Sequence, residues 1–218
     1  MREAGPYLAE LVCGAARKAE LRDNFDTRFG TNTTSSAMPW DLPSLACAGA
    51  EVYHYETLPS SAIQSAIETV PANFSEYVFI DLGCGKGRAL LVAAQFAFVR
   101  VVGIELSCEL AAIVNINIDR YRAVEPGGAD IEVHVCDVLA YEFPPQPLVL
   151  FLFNPFGAAT LRRVCSNLAQ SLHRNPRRAY LIYVNPLHQR VIAGFPEWRE
   201  LRSPSGLVVY ESVLGPPA

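Results

Sequence analysis

The segment YVFIDLGCGKGRALLVAA (residues 77–94) runs from an apolar stretch through a glycine-rich turn into a stretch rich in alanine and leucine. The apolar run over 77–82 predicts a buried strand, and residues 87–98 predict a helix. Three glycines in the turn remove Cβ atoms that would otherwise keep a ligand from the backbone. The segment therefore predicts the first strand–loop–helix unit of an α/β sheet. The loop is either a ligand site or only a tight turn.

The same alternation continues along the chain. Four further apolar runs predict strands at 100–106, 131–136, 148–153 and 178–184. Two intervening stretches predict helices at 108–122 and 157–172. The last two candidate strands lie at 197–202 and 207–213. Before residue 77, an amphipathic helix is expected at about 7–22, and Ser61 with Gln64 resembles a capping box that opens another. Apolar strands alternating with helices indicate a parallel sheet covered on both faces.

Composition narrows the class of protein. The 218 residues suffice for one well-buried domain, and 50% hydrophobic against 18% charged residues excludes a disordered chain. A net charge of -4 argues against indiscriminate polyanion binding, so nucleic acid is not expected as a partner. The six cysteines are scattered without metal-ligand spacing, which predicts no metal site and a reduced, cytoplasmic compartment. No apolar run is long enough to predict a membrane span.

The spacing of the glycine loop excludes two phosphate sites. A dinucleotide fingerprint is GxGxxG, but here Arg88 occupies the position of the third glycine. A Walker loop needs a glycine where Ile80 stands and a Ser or Thr where Gly87 stands. The acid at the end of the second predicted strand, Glu105, still favours a nicotinamide-dependent oxidoreductase, which therefore remains an alternative interpretation.

DLGCGKGRA (81–89) resembles motif I of the class I, seven-stranded S-adenosylmethionine-dependent methyltransferases, which has the form (D/E)xGxGxG. Further segments resemble bacterial relatives of the non-SET histone lysine methyltransferases: FDTRFGT (25–31), FIDLGCGKGRALLVAA (79–94), VVGIELS (101–107) and YVNP (183–186). The resemblance covers about two-thirds of the chain. It implies a methyltransferase whose cofactor is S-adenosyl-L-methionine.

The resemblance also implies a role for each acid at a strand end. Asp81 would accept from the cofactor's ammonium group, Glu105 would take both ribose hydroxyls, and Asp137 would receive the adenine amino group. The other expected cofactor-binding residues are Gly83, Cys84, Gly85, Gly87, Leu106, Val138 and Asn154. The alternative reading of each acid is a solvated strand end, but ligands of open parallel sheets bind at these carboxyl ends.

Asn154-Pro155-Phe156 resembles the (N/D/S)PP(Y/F/W) motif of methyltransferases that modify nitrogen, with one proline missing. The amide oxygen of Asn154 and the carbonyl of Pro155 would aim the nitrogen lone pair, and Phe156, Tyr53 or Tyr55 would offer a π-face to the cationic transition state. The expected catalytic residues are Asn154, Pro155, Phe156 and Tyr55, acting by in-line transfer without a metal. The alternative is a helix start with an Asn cap and Pro at its first position. The single proline also leaves open a non-catalytic cofactor-binding module.

The family resemblance implies a Rossmann-like sheet of seven mostly parallel strands in the order 3-2-1-4-5-7-6, with helices on both faces. Residues 1–70 are expected to form a helical N-terminal segment that caps the substrate, and residues 71–218 the methyltransferase core. A monomer is expected.

The expected acceptor is a protein lysine, with a small-molecule amine or a nucleic-acid base amine as alternatives. Five arginines in and just after the helix predicted at 157–172 leave local phosphate binding open: Arg162, Arg163, Arg174, Arg177 and Arg178.

Overall fold

The computed structural model describes residues 23–35, 42–48, 56–202 and 206–215. The helix predicted at about 7–22, and Tyr53 and Tyr55, lie outside the described residues. The described helices are α1 (Phe25–Phe29), α2 (Pro43–Ala48), α3 (Ser60–Glu68), α4 (Arg88–Ala93), α5 (Cys108–Val124), α6 (Ala158–Arg174) and α7 (Gln189–Ala193). The strands are β1 (Val78–Leu82), β2 (Arg100–Glu105), β3 (Ile131–Val135), β4 (Leu148–Leu152), β5 (Ala179–Val184), β6 (Trp198–Arg202) and β7 (Leu207–Ser212).

The seven strands form one sheet in the order β3-β2-β1-β4-β5-β7-β6. The first five are mutually parallel, whereas β7 lies antiparallel to both β5 and β6. The α/β class, the Rossmann-like strand order and the antiparallel C-terminal pair predicted from the sequence are confirmed.

Alternate residues of the central strands pack on opposite faces of the sheet. On one face, Phe79 belongs to a buried cluster that includes residues of α3, α4 and α5. On the other face, Ile80 belongs to a cluster that includes residues of α6 and α7. Strands buried on both sides carry continuous apolar runs, which is why β1 and β4 are buried at every position. Helices therefore cover both faces, as predicted.

The N-termini of two helices show one local capping residue that is present and one predicted capping box that is not formed. Ser107 caps α5, since its hydroxyl accepts from the backbone N–H of Leu110 at 3.2 Å, as expected for an N-cap serine. The capping box predicted at Ser61 is wrong. The helix begins one residue earlier, after Pro59, without a side-chain cap from that residue. The N–H of Ser60 instead donates to the distant carboxylate of Asp23 at 2.6 Å.

Candidate functional site

A cavity of about 340 Å³ lies at the carboxyl ends of β1, β2, β3 and β4. The chain leaves β1 toward β2 and β3 on one side, and β4 and β5 lie on the other. Ligands of open α/β sheets bind at such a reversal of strand order. The predicted residues that line this cavity are Asp81, Gly83, Cys84, Gly85, Glu105, Leu106, Asp137, Val138, Asn154, Pro155 and Phe156.

The glycine loop after β1 needs its glycines for two physical reasons. Gly83 and Gly85 have φ values of 98° and 54°, in the left-handed region that side chains disfavour. Gly83 also touches the loop after β4, because a Cβ on it would lie 2.3 Å from Cβ of Pro155. The two sequence motifs therefore meet directly at the Gly83–Pro155 contact.

Asp81 presents a buried carboxylate to the cavity. Its residue is only 5% exposed, and within the described ranges no donor forms a hydrogen bond with its side chain. Burial, with a smaller contribution from the nearby Glu105 carboxylate, raises the pKa of Asp81 to about 8. An uncompensated buried carboxylate is costly, so this site favours a ligand that brings a cationic donor.

Glu105, at the end of β2, holds the loop from the opposite side. Its two carboxylate oxygens accept from the backbone N–H groups of Gly85 and Ser107, each at 2.8 Å. Burial raises the pKa of Glu105, and these backbone hydrogen bonds oppose the rise. Because each carboxylate oxygen has a second lone pair, Glu105 can fix the loop and still accept from a ligand.

Asp137 and Val138 form the outer rim of the cavity beyond β3. Asp137 is exposed, and one of its oxygens accepts from the N–H of Leu139 at 2.8 Å, capping the short turn Val138–Ala140. The acid is therefore more than a solvated strand end, since it shapes the turn that brings Val138 and Leu139 to the cavity.

Two predicted loop residues have packing roles. Gly87 does not line the cavity; it has φ 87°, and a Cβ on it would lie 2.2 Å from Cγ2 of Val114 on α5. Cys84 lines the cavity and is 5% exposed. A Cβ at Gly103 of β2 would lie 2.7 Å from its sulfur, so Gly103 makes room for this thiol. Sequence reasoning missed Gly103, because a lone glycine in a strand has several meanings.

Asn154 follows β4 in a left-handed conformation, with φ 48°. Its side-chain N–H donates to the carbonyl of Asn185 at 2.6 Å, and its amide oxygen accepts from the hydroxyl of Tyr183 at 2.7 Å. Helix α6 starts only at Ala158, with Gly157 as its N-cap. The alternative of an Asn cap with Pro155 at the first helical position is therefore wrong.

Pro155 and Phe156 bring the same loop to the cavity wall. Phe156 is half-buried and packs at the edge of the core cluster beneath α6. Tyr55, also expected near the acceptor, lies outside the described residues, whereas Glu56 and Thr57 beside it line the cavity. Sequence reasoning missed Tyr183 and Asn185, although the segment YVNP was noted for its resemblance.

A side-chain clamp lies behind the glycine loop. Arg88, 1% exposed, donates to a carboxylate oxygen of Asp23 at 2.7 Å and to the hydroxyl of Thr33 at 2.6 Å. Asn117 of α5 accepts from the N–H of Asn32 at 2.8 Å and donates to the carbonyl of Lys86 at 2.9 Å. The segment FDTRFGT and its flanks thus hold the glycine loop from outside the cavity.

The arginines between residues 162 and 178 have different environments. Arg177 is 4% exposed and donates to the carbonyls of Gln146, Ser171 and Asn175. It is therefore a structural residue, and the phosphate binding that the sequence left open does not extend to this arginine. Arg163 is exposed and lines the cavity mouth.

Two negative findings apply to the residues that the structure describes. Among them, no group of three or more His, Cys, Asp or Glu side chains is arranged to hold a metal ion. Within the same ranges, no helix has the length and apolar character needed to cross a bilayer.

No protein-family model and no curated protein matches the sequence. Solved structures with a similar fold include an RNA methyltransferase from Salinibacter ruber in complex with S-adenosyl-L-homocysteine, 18% identical with a TM-score of 0.50, covering 74% of this chain and 95% of that one. A magnesium protoporphyrin IX methyltransferase from Synechocystis PCC 6803 with bound SAM is 15% identical with a TM-score of 0.50, covering 70% and 76%.

A ribosomal protein L11 methylase from Lactobacillus delbrueckii subsp. bulgaricus is also 15% identical with a TM-score of 0.50, covering 74% of this chain and 81% of that one. Identities this low establish the fold alone. The chain therefore has the seven-stranded, Rossmann-like fold of the class I S-adenosylmethionine-dependent methyltransferases.

Proposed function

We propose that the protein is an S-adenosylmethionine-dependent methyltransferase that acts on a nitrogen acceptor. The observation that carries this proposal is Asp81, a buried carboxylate that faces the cavity without a donor from the described part of the chain. An amino-acid ammonium group supplies the missing donor. The pyrophosphate of a dinucleotide brings no cationic donor to Asp81, which argues against the nicotinamide alternative.

The other cofactor-binding residues suit the remaining parts of this cofactor. Glu105 keeps one lone pair on each carboxylate oxygen for ribose hydroxyls while it holds Gly85 and Ser107. Asp137 has an oxygen that is not used to cap its turn and would accept from an exocyclic amine beside Val138. The glycine backbone leaves room for close approach at Gly83. When bound, the cofactor supplies an activated sulfonium methyl group.

The acceptor would lie at the Asn154 end of the cavity. The amide oxygen of Asn154 and the carbonyl of Pro155 would orient the nitrogen lone pair, and the ring of Phe156 would face the cationic transition state. A lysine must first lose a proton to water, at a cost of roughly 4–5 kcal/mol at neutral pH given its reference pKa. We include Tyr55 in this acceptor pocket, which residues 1–70 would cap over the core of residues 71–218.

We favour a protein lysine as the acceptor. Four acids line the cavity, namely Glu56, Asp81, Glu105 and Asp137, whereas the arginines that line it are Arg88 and Arg163. Arg88 is already paired with Asp23, and we assign Asp81, Glu105 and Asp137 to the cofactor. The choice of lysine therefore depends on the resemblance of the sequence to relatives of the non-SET histone lysine methyltransferases. The similar solved structures are an RNA methyltransferase, a magnesium protoporphyrin IX methyltransferase and a ribosomal protein L11 methylase, and such variety does not select one acceptor. We further propose a cytoplasmic monomer.

The test is incubation of the protein with methyl-labelled S-adenosylmethionine and a host-cell extract that retains its small molecules. The label is then separated into protein, nucleic-acid and small-molecule fractions, and labelled protein is hydrolysed to identify methyl-lysine. We expect the label in protein as methyl-lysine, and none with the Asp81→Asn variant. Label confined to another fraction would refute the lysine acceptor and keep the methyltransferase. Cofactor binding without any transfer would favour a non-catalytic module.

A further inference from the structure

We propose that Tyr183 is a positioning residue for methyl transfer, whose hydroxyl fixes the side chain of Asn154 at the acceptor end of the cavity. The inference rests on the proposed function, since it assigns a role within the same site. Tyr183 does not line the cavity, so it would act only through Asn154.

The register of two neighbouring strands brings the relevant residues together. In the parallel pair of β4 and β5, Leu152 lies opposite Tyr183. Asn154 and Asn185 each follow two residues later, and both leave their strands in the left-handed region, with φ values of 48° and 47°. Such φ values are uncommon outside glycine and are tolerated best by asparagine and aspartate. The two Asn-Pro turns therefore lie side by side, and the Asn154 side chain donates to the Asn185 carbonyl.

Hydrogen-bond partners fix the direction of the Tyr183 hydroxyl. The backbone N–H of His188 donates to the phenol oxygen, with a separation of 3.2 Å between nitrogen and oxygen. The hydroxyl is in turn the donor to the amide oxygen of Asn154 at 2.7 Å. Tyr183 is only 1% exposed, so the surrounding core holds its ring in place.

This arrangement determines which way the amide of Asn154 points. With a carbonyl facing its nitrogen and a hydroxyl facing its oxygen, the amide has one favourable orientation. The amide oxygen keeps a second lone pair with which to accept from an amine. An amide oxygen that is already oriented before the amine binds lowers the barrier to methyl transfer, because fewer groups must be ordered during the reaction itself. Without the hydroxyl, the amide oxygen loses the group that holds it.

The kinetic test compares Tyr183→Phe with a matched control, Tyr180→Phe. Tyr180 lies on the same strand, is equally buried and donates to Glu211 at 3.3 Å, away from the cavity. Transfer from methyl-labelled S-adenosylmethionine is measured at saturating cofactor while the concentration of desalted host-cell extract is varied. For Tyr183→Phe we expect a maximal rate about tenfold lower. The half-saturating extract concentration, the melting temperature and the affinity for S-adenosylhomocysteine should stay near wild type, and Tyr180→Phe should behave as wild type.

A second readout does not depend on the acceptor. In ¹⁵N-labelled protein, the side-chain amide pair of Asn154, assigned by its loss in Asn154→Ser, should shift and exchange faster with solvent in Tyr183→Phe. Unchanged Asn154 signals, a wild-type maximal rate, or an equal loss in Tyr180→Phe would each overturn the positioning role. A tenfold loss accompanied by weaker binding of S-adenosylhomocysteine would also overturn it. Wild-type protein that fails to bind S-adenosylhomocysteine would instead refute the proposed function, and the Asn154 signals would still decide whether Tyr183 holds this side chain.

Discussion

The two halves of the cavity are held in different ways. In the half around the glycine loop, which we assign to the cofactor and call the cofactor half, most contacts involve backbone groups. Glu105 accepts from two backbone N–H groups, and the loop N–H groups of Gly83 and Cys84 donate to the Ile104 carbonyl. In the half around Asn154, which we assign to the methyl acceptor and call the acceptor half, the side chains of Asn154 and Tyr183 form a hydrogen bond with each other. The halves meet where Gly83 contacts Pro155. A backbone-held half tolerates changes in neighbouring side chains, whereas a side-chain-held half depends on each of its members.

The largest effect is expected from Gly83→Ala, which disrupts the Gly83–Pro155 contact between the two halves. The new Cβ would collide with Pro155 and hold a side chain at φ 98°. The clash and the left-handed conformation together should reduce the free energy of unfolding by about 2–5 kcal/mol, measured by denaturant titration. Binding of S-adenosylhomocysteine should be lost.

The matched control is Gly30→Ala, at φ 66° with no atom of the described residues within 4 Å of the new Cβ. It should show only the conformational cost, about 1–2 kcal/mol. Equal destabilisation by the two variants would mean that the Gly83–Pro155 contact has no special importance.

Asp81→Asn, in the cofactor half, should weaken binding of the cofactor but stabilise the ligand-free protein. Loss of a charged hydrogen bond should weaken S-adenosylhomocysteine about 100-fold, measured by calorimetry. The folded pKa of Asp81 is above its ordinary value of 3.8, so its contribution to stability is lost as pH rises from about 4 to 8. The ligand-free variant should therefore melt higher than wild type at pH 8, with little difference at pH 4.

Asp137→Asn is the control for that variant, since Asp137 is exposed. Since asparagine can also cap the turn through its side-chain oxygen, the ligand-free variant should melt near the wild-type temperature at pH 8. A ligand-free Asp81→Asn protein that melts lower than wild type at pH 8 would show that the carboxylate is already paired in the free protein.

The affinity for S-adenosylhomocysteine should depend on pH in the wild-type protein but not in Asp81→Asn. Because the Asp81 pKa is about 8 in the free protein, binding of an ammonium group must remove its proton. Affinity for S-adenosylhomocysteine should therefore increase about tenfold per unit between pH 5 and pH 7. The slope should vanish in Asp81→Asn. A flat wild-type profile would contradict the buried, protonated state of Asp81.

The smallest effect is expected from Asn154→Asp, in the acceptor half. A carboxylate cannot donate to the Asn185 carbonyl, so the contact of 2.6 Å becomes repulsive. Transfer of label should decrease about fivefold, while affinity for S-adenosylhomocysteine stays within twofold. Since aspartate is acceptable at this position in the motif that the sequence resembles, full activity would show that the Asn185 contact is dispensable.

Much of the fold and of the cofactor half could be predicted because it depends on regular backbone. Apolar runs locate buried strands, and parallel strands bring Asp81, Glu105 and Asp137 to one edge of the sheet. The acceptor half depends on left-handed turns at Asn154 and Asn185, which no periodicity reveals.

Distant contacts were equally hidden from the sequence. Asp23 bonds to Arg88 across 65 positions and accepts from Ser60 at the start of α3. That contact displaced the predicted capping box, because a remote carboxylate replaced the local serine. Arg177 looked like a surface cation in sequence, but its guanidinium is bonded to backbone carbonyls in the core.

The central claim is that this cavity binds an S-adenosyl cofactor through Asp81, and calorimetric titration with S-adenosylhomocysteine tests it most directly. Titrations at pH 7 in buffers of different ionisation enthalpy report the protons released on binding. The account predicts saturable binding with release of up to about one proton, absent from Asp81→Asn, and no binding of NAD. Binding of NAD without binding of S-adenosylhomocysteine would contradict it.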